Sequence, residues 1–186
     1  MKEIILYGGS FDPVTKAHVE VAEKVQARLN IPVYLVPTKK GKIGKTIQYD
    51  FNSRQEMCNM VYDKVSCIEQ YVNAFSTWTL LKMYENILPD YYFGVLIGMD
   101  CANEIHRWFN HEELLERYTF IVVNRKGYEA ERDWFLDPRH IYLKDVEIPE
   151  MSSTNVRKML KNKDDNVLEY INESTYDYIV GENDES

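Results

Sequence analysis

The stretch EIILYGGSFDPVTKAHVEVAEKVQARL, residues 3–29, changes its hydrophobic period partway along, and that change decides the fold. Residues 3–7 are a compact apolar run of strand length. From Val19 onward the apolar residues return near a period of 3.6, at Val19, Val21, Ala22, Val25 and Leu29. That spacing predicts a helix over 15–29 with one buried stripe. Between the two, Gly8 and Gly9 permit positive φ and a close backbone approach. Asp12-Pro13 turns the chain, and Thr15 is placed to cap the helix.

The alternation recurs to the end of the chain. Further strands are expected at 32–37, 66–72, 91–98, 119–124 and 140–146. Helical patterns cover 53–64, 77–87, 101–106, 112–117, 154–161 and 165–179. SRQE, residues 53–56, reads as a capping box with Ser53 facing Glu56, ahead of Met57, Met60 and Val61. Apolar strands alternating with helices imply an α/β fold, a doubly wound parallel sheet with helices on both faces. One domain is expected over 1–180, with acidic GENDES, 181–186, as a flexible tail. The one loop too long for a simple connector is 38–52, and it carries the only basic cluster, Lys39, Lys40, Lys42 and Lys45.

Composition excludes several function classes. A net charge of −8 over 186 residues argues against a broad nucleic-acid surface, which needs a basic face. It leaves room for a small basic pocket that takes a free nucleotide. The 14 tyrosines raise the aromatic share to 13%, enough to serve both core and ring-stacking sites. Three cysteines without a CxxC pair fit reduced thiols in the cytoplasm. Four histidines without metal-ligand spacing give no zinc site. The apolar run near the N-terminus is too short for a signal peptide or a membrane span, so no membrane partner is expected.

In an open parallel sheet ligands bind beyond the carboxyl ends of the strands, where Gly8 to His18 falls. Backbone N–H groups and the helix dipole at that helix start make an anion site. Thr15 and His18, three apart, share a helix face and can both point towards it. By itself a double glycine before a helix is neither GxGxxG nor a Walker loop, and a lone His there is also an ordinary surface or capping residue.

GGSFDPVTKAH, residues 8–18, resembles the GxFxPxxxGH stretch of the nucleotidyltransferases known by their (H/T)xGH motif. Ala17 departs from the usual Gly of that motif. Downstream, LIGMD (96–100) and HRWFNHEELLERYTFIVVNRKGY (106–128) resemble the GxD, Trp and R-x-G-Y landmarks of nicotinate or nicotinamide mononucleotide adenylyltransferases. MSSTNVRKML (151–160) is similar to their ISSTxxR motif, SRQEM (53–57) to their R-x-x-M helix, and FSTWTLLKM (75–83) to their SYTxxTL segment. The landmarks run in family order along nearly the whole chain. The resemblance implies a Rossmann-like fold and adenylyl transfer from ATP to a pyridine mononucleotide in NAD biosynthesis.

It also implies the site. His18, Thr15 and Arg157 become the catalytic group: His18 donating to an α- or β-phosphate oxygen, Thr15 bonding the same group, Arg157 holding pyrophosphate through its planar fork. Gly8, Gly9, Ser10, Phe11, Lys45, Gly98, Asp100, Arg125, Ser152, Ser153 and Thr154 fall to ATP, and Thr79, Trp108 and Phe109 to the mononucleotide. Plainer roles stand beside these. Ser152–Thr154 can be a simple N-cap with a solvated Arg157, Asp100 can cap a helix beginning at Cys101, and Trp108 can pack the 107–113 loop. Arg125 and the loop lysines can be solvated, and Lys45 with its neighbours can also act as a lid.

Since the phosphate of one substrate attacks the other, no side-chain nucleophile is required, and catalysis is positioning plus charge stabilisation. Mg²⁺ is expected on the phosphates of ATP, with no metal held by the protein. Phe109 after the landmark Trp, and Thr15 in place of His, leave the choice between nicotinate and nicotinamide open. Two rivals remain: a phosphopantetheine adenylyltransferase, which shares GSFDPVT almost verbatim, and a non-catalytic nucleotide-binding or regulatory protein of the same fold. Self-association into a homo-oligomer is undecided.

Overall fold

Burial alternates along the strands in a way that needs cover on both sides. Ile5 and Tyr7 enter one hydrophobic cluster, while Ile4 and Leu6 enter another. Leu96 alternates with Val95 and Ile97, and Ile121 and Val123 alternate with Phe120 and Val122, in the same way. A period of two with both phases apolar is the signature of a parallel sheet sandwiched between helices. The computed structural model describes residues 2–39, 46–66, 76–149 and 152–184. Within them the strands are β1 (Lys2–Gly9), β2 (Val33–Pro37), β3 (Tyr91–Gly98), β4 (Thr119–Arg125) and β5 (Ile141–Ile148). All four strand pairings are parallel, in the order β2-β1-β3-β4-β5.

The helices are α1 (Lys16–Leu29), α2 (Phe51–Val61), α3 (Thr77–Ile87), α4 (Met99–Glu104), α5 (His111–Arg117), α6 (Ser153–Lys161) and α7 (Glu173–Asp184). α1 places Val21, Ala22 and Val25 on one face of the sheet, beside Met57 and Cys58 of α2 and Ile179 of α7. Leu80, Leu81 and Tyr84 of α3, Met99 and Ala102 of α4 and Leu114 of α5 cover the other. The sheet is therefore doubly wound, with the order of its strands reversing between β1 and β3. The carboxyl ends of those two strands frame the crevice where such folds bind ligands.

Several boundaries differ from the sequence expectation, each for a local reason. α2 begins at Phe51 because the Asp50 carboxylate accepts the Ser53 N–H at 2.8 Å, so Asp50 is the cap and Ser53 is a buried first-turn residue. The SRQE capping box does not form. Of the apolar residues that follow, Met57 is buried and Met60 is 42% exposed. The helix expected over 165–179 is split into a 3₁₀ turn, Asp165–Glu169, and α7. Asp164 caps the turn through Asn166 N–H, one of the short-range bonds by which Asp and Asn compete with helix. Val167 and Ile171 then pack on Val156 as a small separate core. α7 continues through the first four residues of the acidic tail. Of the strand expected over 66–72, only Ser66 lies within the described residues; just before it Val65 makes a single parallel bridge to Leu35.

At the amino-terminal end of the sheet His140 is buried against Phe120 and Trp134, and its Nδ1 accepts the Phe120 N–H at 3.3 Å. Burial pulls its pKa below the ordinary value of 6.5, with the Asp137 carboxylate opposing and Arg139 adding to the fall. The unfolded chain then binds the proton first. Stability is present above pH 6.5 and declines as the pH falls below it, towards the lowered folded value. Urea unfolding between pH 7.5 and 5, compared with His140→Asn, measures this: the variant is expected to flatten the slope. An equal slope in both proteins would assign the loss to other groups.

Candidate active site

β1 ends in Gly8-Gly9, and both glycines lie in extended strand; neither adopts the positive φ their type permits. The left-handed residue is Phe11, at φ 45°, a conformation that costs a bulky side chain energy and is tolerated where packing dictates it. The dictating contact is visible at Gly9, where a Cβ would come within 2.9 Å of the Phe11 ring. Gly9 is there to admit that ring. At Gly8 a Cβ would meet nothing within 4 Å, so the end of β1 is open on that side.

The Phe11 ring, 2% exposed, stands edge-on to two neighbours: Tyr7 at 5.9 Å and the His18 imidazole at 5.1 Å. His18 is further fixed by Thr15, whose N–H donates to Nδ1 at 3.0 Å and whose hydroxyl lies 2.9 Å from the same atom. Because Nδ1 accepts the amide hydrogen, the ring proton resides on Nε2, which makes Nε2 a donor. Thr15 is 4% exposed, so its hydroxyl faces the imidazole, where the sequence suggested that it faces a phosphate.

The start of α1 has no acidic residue in its first turn to offset the dipole. Its amides are partly spent, however. Lys16 N–H goes to Tyr170 C=O at 2.8 Å, and the His18 and Val19 N–H groups both go to Thr15 C=O. The helix start therefore offers fewer open amides than its sequence suggests.

α6 closes the other side of the opening loop. Ser152 is its N-cap, accepting Asn155 N–H, and the Ser153 hydroxyl donates to Pro13 C=O at 2.9 Å. Arg157 is not solvated. Its Nη1 donates to the Asp12 carbonyl and, at 3.0 Å, to Asp12 Oδ2, while Nη2 reaches the Thr154 hydroxyl at 3.3 Å. Beside it a cavity of about 270 Å³ is lined by Gln48, Tyr49, Arg157, Leu160, Lys161 and Ile179.

β3 and β4 contribute a third group. Asp100 lies in the first turn of α4, whose cap is Gly98, so it does not cap a helix beginning at Cys101. Its carboxylate pairs with Arg125, at the end of β4, at 3.4 Å. A register shift in the β4–β5 ladder at Val123/Asn124 precedes Arg125, and such bulges redirect the side chains that follow. A Cβ at Gly98 would come within 2.9 Å of Asp100 Oδ1 and of the Ile148 Cδ1 methyl, so a side chain there displaces the Asp100 carboxylate or Ile148. Tyr7 lies behind this group: burial pushes its hydroxyl well above the ordinary range, Arg125 opposes, and Cys101 and Asp100 add to the rise.

The structure thus brings Tyr7, Phe11, Thr15, His18, Asp100, Arg125, Ser153, Thr154 and Arg157 to one edge of the sheet. Thr79 and Trp108 make local contacts, Thr79 with the Ser76 hydroxyl at 3.0 Å and Trp108 with the Phe120 ring at 6.4 Å. Phe109 is 53% exposed. Lys45, Lys40 and Lys42, and with them the lid expectation, lie outside the described residues. Two charged side chains escaped the sequence argument. Asp12, read only as a turn residue, is 2% exposed and accepts Gln48 and Tyr49 N–H as well as Arg157. Arg54 is 1% exposed and donates to the carbonyls of Ser10, Thr38 and Tyr49. Burial lowers its pKa, against the pull of Asp12. The signal for both was present in GGSFDP and SRQEM, but a period argument ranks positions by apolarity and passes over a buried charge.

Known proteins resemble this chain along most of its length. A family model described as cytidylyltransferase-like matches residues 6–159. A probable nicotinate-nucleotide adenylyltransferase of Endomicrobium trichonymphae is 27% identical over 189 residues, covering 97% of this chain and 97% of that protein. One from Staphylococcus saprophyticus, described in the same words, is 29% identical over 192 residues, covering 96% and 95%. Among solved structures, Plasmodium falciparum nicotinic acid mononucleotide adenylyltransferase complexed with NaAD superimposes with a TM-score of 0.80 at 27% identity, covering 98% of this chain and 97% of that one.

Proposed function

Since the chain belongs to the cytidylyltransferase-like family, we propose that it is a nucleotidyltransferase moving the adenylyl group of ATP onto a pyridine mononucleotide, a step of NAD biosynthesis. The names of its relatives favour nicotinate mononucleotide as the acceptor. The observation that carries the reading is the contact that fixes His18: the Thr15 N–H donates to Nδ1, which leaves the ring proton on Nε2 at the start of α1, at the switch point of the sheet.

A 5′-phosphate oxygen of the mononucleotide attacks the α-phosphorus of ATP in line. The new P–O bond forms as the bond from the α-phosphorus to the α,β-bridging oxygen breaks, and that electron pair leaves with pyrophosphate. The mononucleotide brings the nucleophile and ATP the leaving group, so the protein supplies position and electrostatics. His18 Nε2 donates to a phosphoryl oxygen as charge accumulates there, and Thr15 holds the ring for it. Arg157 gives its remaining guanidinium donors to the leaving pyrophosphate. Gly8, without a side chain, lets the nucleotide approach β1. Trp108, Phe109 and Thr79 receive the mononucleotide.

ATP enters as its magnesium complex. Among the described residues no three His, Cys, Asp or Glu side chains stand together, and the carboxylates at this edge, Asp12 and Asp100, are each paired with an arginine. In this reading the ion rides on the phosphates of ATP. No described helix is long and apolar enough to cross a membrane, and the Cys58 and Cys101 thiols suit a cytoplasmic setting.

Chromatographic analysis of reactions with Mg-ATP and either nicotinate or nicotinamide mononucleotide tests the proposal. Nicotinate adenine dinucleotide and pyrophosphate are the expected products. No dinucleotide from either acceptor, with ATP binding intact, would overturn it.

A further inference from the structure

We propose that Asp12 is a positioning residue that aims Arg157 at the phosphates, a role resting on the reading of Arg157 as the group that holds the leaving pyrophosphate. Asp12 presents two acceptors to one guanidinium nitrogen: its carbonyl oxygen and Oδ2 both receive Arg157 Nη1. Thr154 takes an Nη2 hydrogen. Three of the five N–H donors of the fork are thus committed within the protein, and two are left to face an anion. An arginine so held cannot swing into solvent between turnovers, and its planar group meets the phosphates already oriented.

The carboxylate is itself immobilised. Tyr49 N–H donates to Oδ1 at 2.9 Å and Gln48 N–H to Oδ2 at 3.0 Å, so the segment that returns to α2 grips Asp12. The Arg54 cation, on α2, is the other charge that faces it. One buried carboxylate between two arginines compensates both, and a neutral residue there would leave Arg157 without a counter-charge or an anchor. Arg157 is itself only 19% exposed, so water screens this pair little.

The test is a double-mutant cycle on the full-length enzyme with Asp12→Asn, Arg157→Ala and the combination. Asparagine keeps one oxygen for the Gln48 and Tyr49 amides, while its NH2 group replaces the oxygen that receives Arg157 Nη1 and the charge that faces Arg157 and Arg54 is lost. Asp12→Asn is expected to lower kcat by about 10²-fold, the scale of a misaimed catalytic contact, with the KM for the mononucleotide unchanged. In the Arg157→Ala background the same change should cost nothing further, because there is no guanidinium left to aim. A merely structural Asp12 would instead multiply the two losses and raise the mononucleotide KM, and that result overturns the proposal. If Arg157→Ala alone leaves kcat intact, the assignment of Arg157 to pyrophosphate fails, and the aiming role falls with it. Should Asp12→Asn not fold, Arg157→Lys poses the same question from the other side. A lysine ammonium keeps the charge but cannot hold the Asp12 and Thr154 contacts together, and a wild-type kcat in that variant would equally overturn the proposal.

Discussion

His18→Ala is expected to lower kcat by about 10²–10³-fold, the loss seen when one donor to a developing oxyanion is removed. The physical reason lies in the pair Thr15–His18. The Thr15 amide and hydroxyl both bear on Nδ1, so Nε2–H is presented in one orientation, and little reorganisation is needed when charge builds on the phosphoryl oxygen. Alanine removes that donor while leaving Phe11 and Tyr7 buried, so the fold and the mononucleotide KM should survive. His18→Asn, whose amide reaches less far, should recover only part of the loss. Steady-state kinetics with saturating Mg-ATP measure both variants. Near-normal turnover by His18→Ala would remove the imidazole from the mechanism.

Arg54→Ala should be the most damaging single change to stability in this region, costing about 3–5 kcal/mol, the scale of breaking a buried charge pair. Arg54 is 1% exposed, and its guanidinium donates to Tyr49 C=O at 3.0 Å, Thr38 C=O at 2.8 Å and Ser10 C=O. Those carbonyls belong to three segments that share no secondary structure: the opening loop, the exit of β2 and the return to α2. Alanine leaves all three without that donor and removes a cation facing Asp12. Arg54→Lys should recover only part of the loss, since one ammonium cannot span the same acceptors as a planar fork. Urea unfolding reads the difference, and a cost below about 1 kcal/mol, the size of a surface effect, would show that the three segments hold together without it.

The two variants divide along what was legible. The β1–α1 unit could be read because a strand and a helix bury apolar residues at different periods, and both periods are written in residues 3–29. β3, between Tyr91 and Gly98, and α3, between Thr77 and Ile87, fall at the residues their apolar runs indicate. Helix starts were less legible. Asp50 and Ser53 are both good caps, and only the backbone geometry selects Asp50. The turn at Gly8–Phe11 was open for a related reason: glycine permits positive φ without requiring it, and the packing of the Phe11 ring over Gly9 puts that conformation on Phe11.

By itself the sequence determined the α/β class, the alternation of strand and helix, and that Gly8, His18, Gly98 and Arg125 belong to strand ends or the helix that follows one. Those properties depend on local periodicity and on neighbours close along the chain, which a linear pattern carries in full. Only the tertiary structure decided who pairs with whom across that edge. Asp12 and Arg157 are 145 residues apart, and Arg54 lies 44 residues from Ser10. Whether a charge in such a place is solvated, or buried and bonded, depends on the closure of the whole sheet around it. Burial makes an unpaired charge costly, and so the fold, once closed, had to supply each of these side chains with its partner.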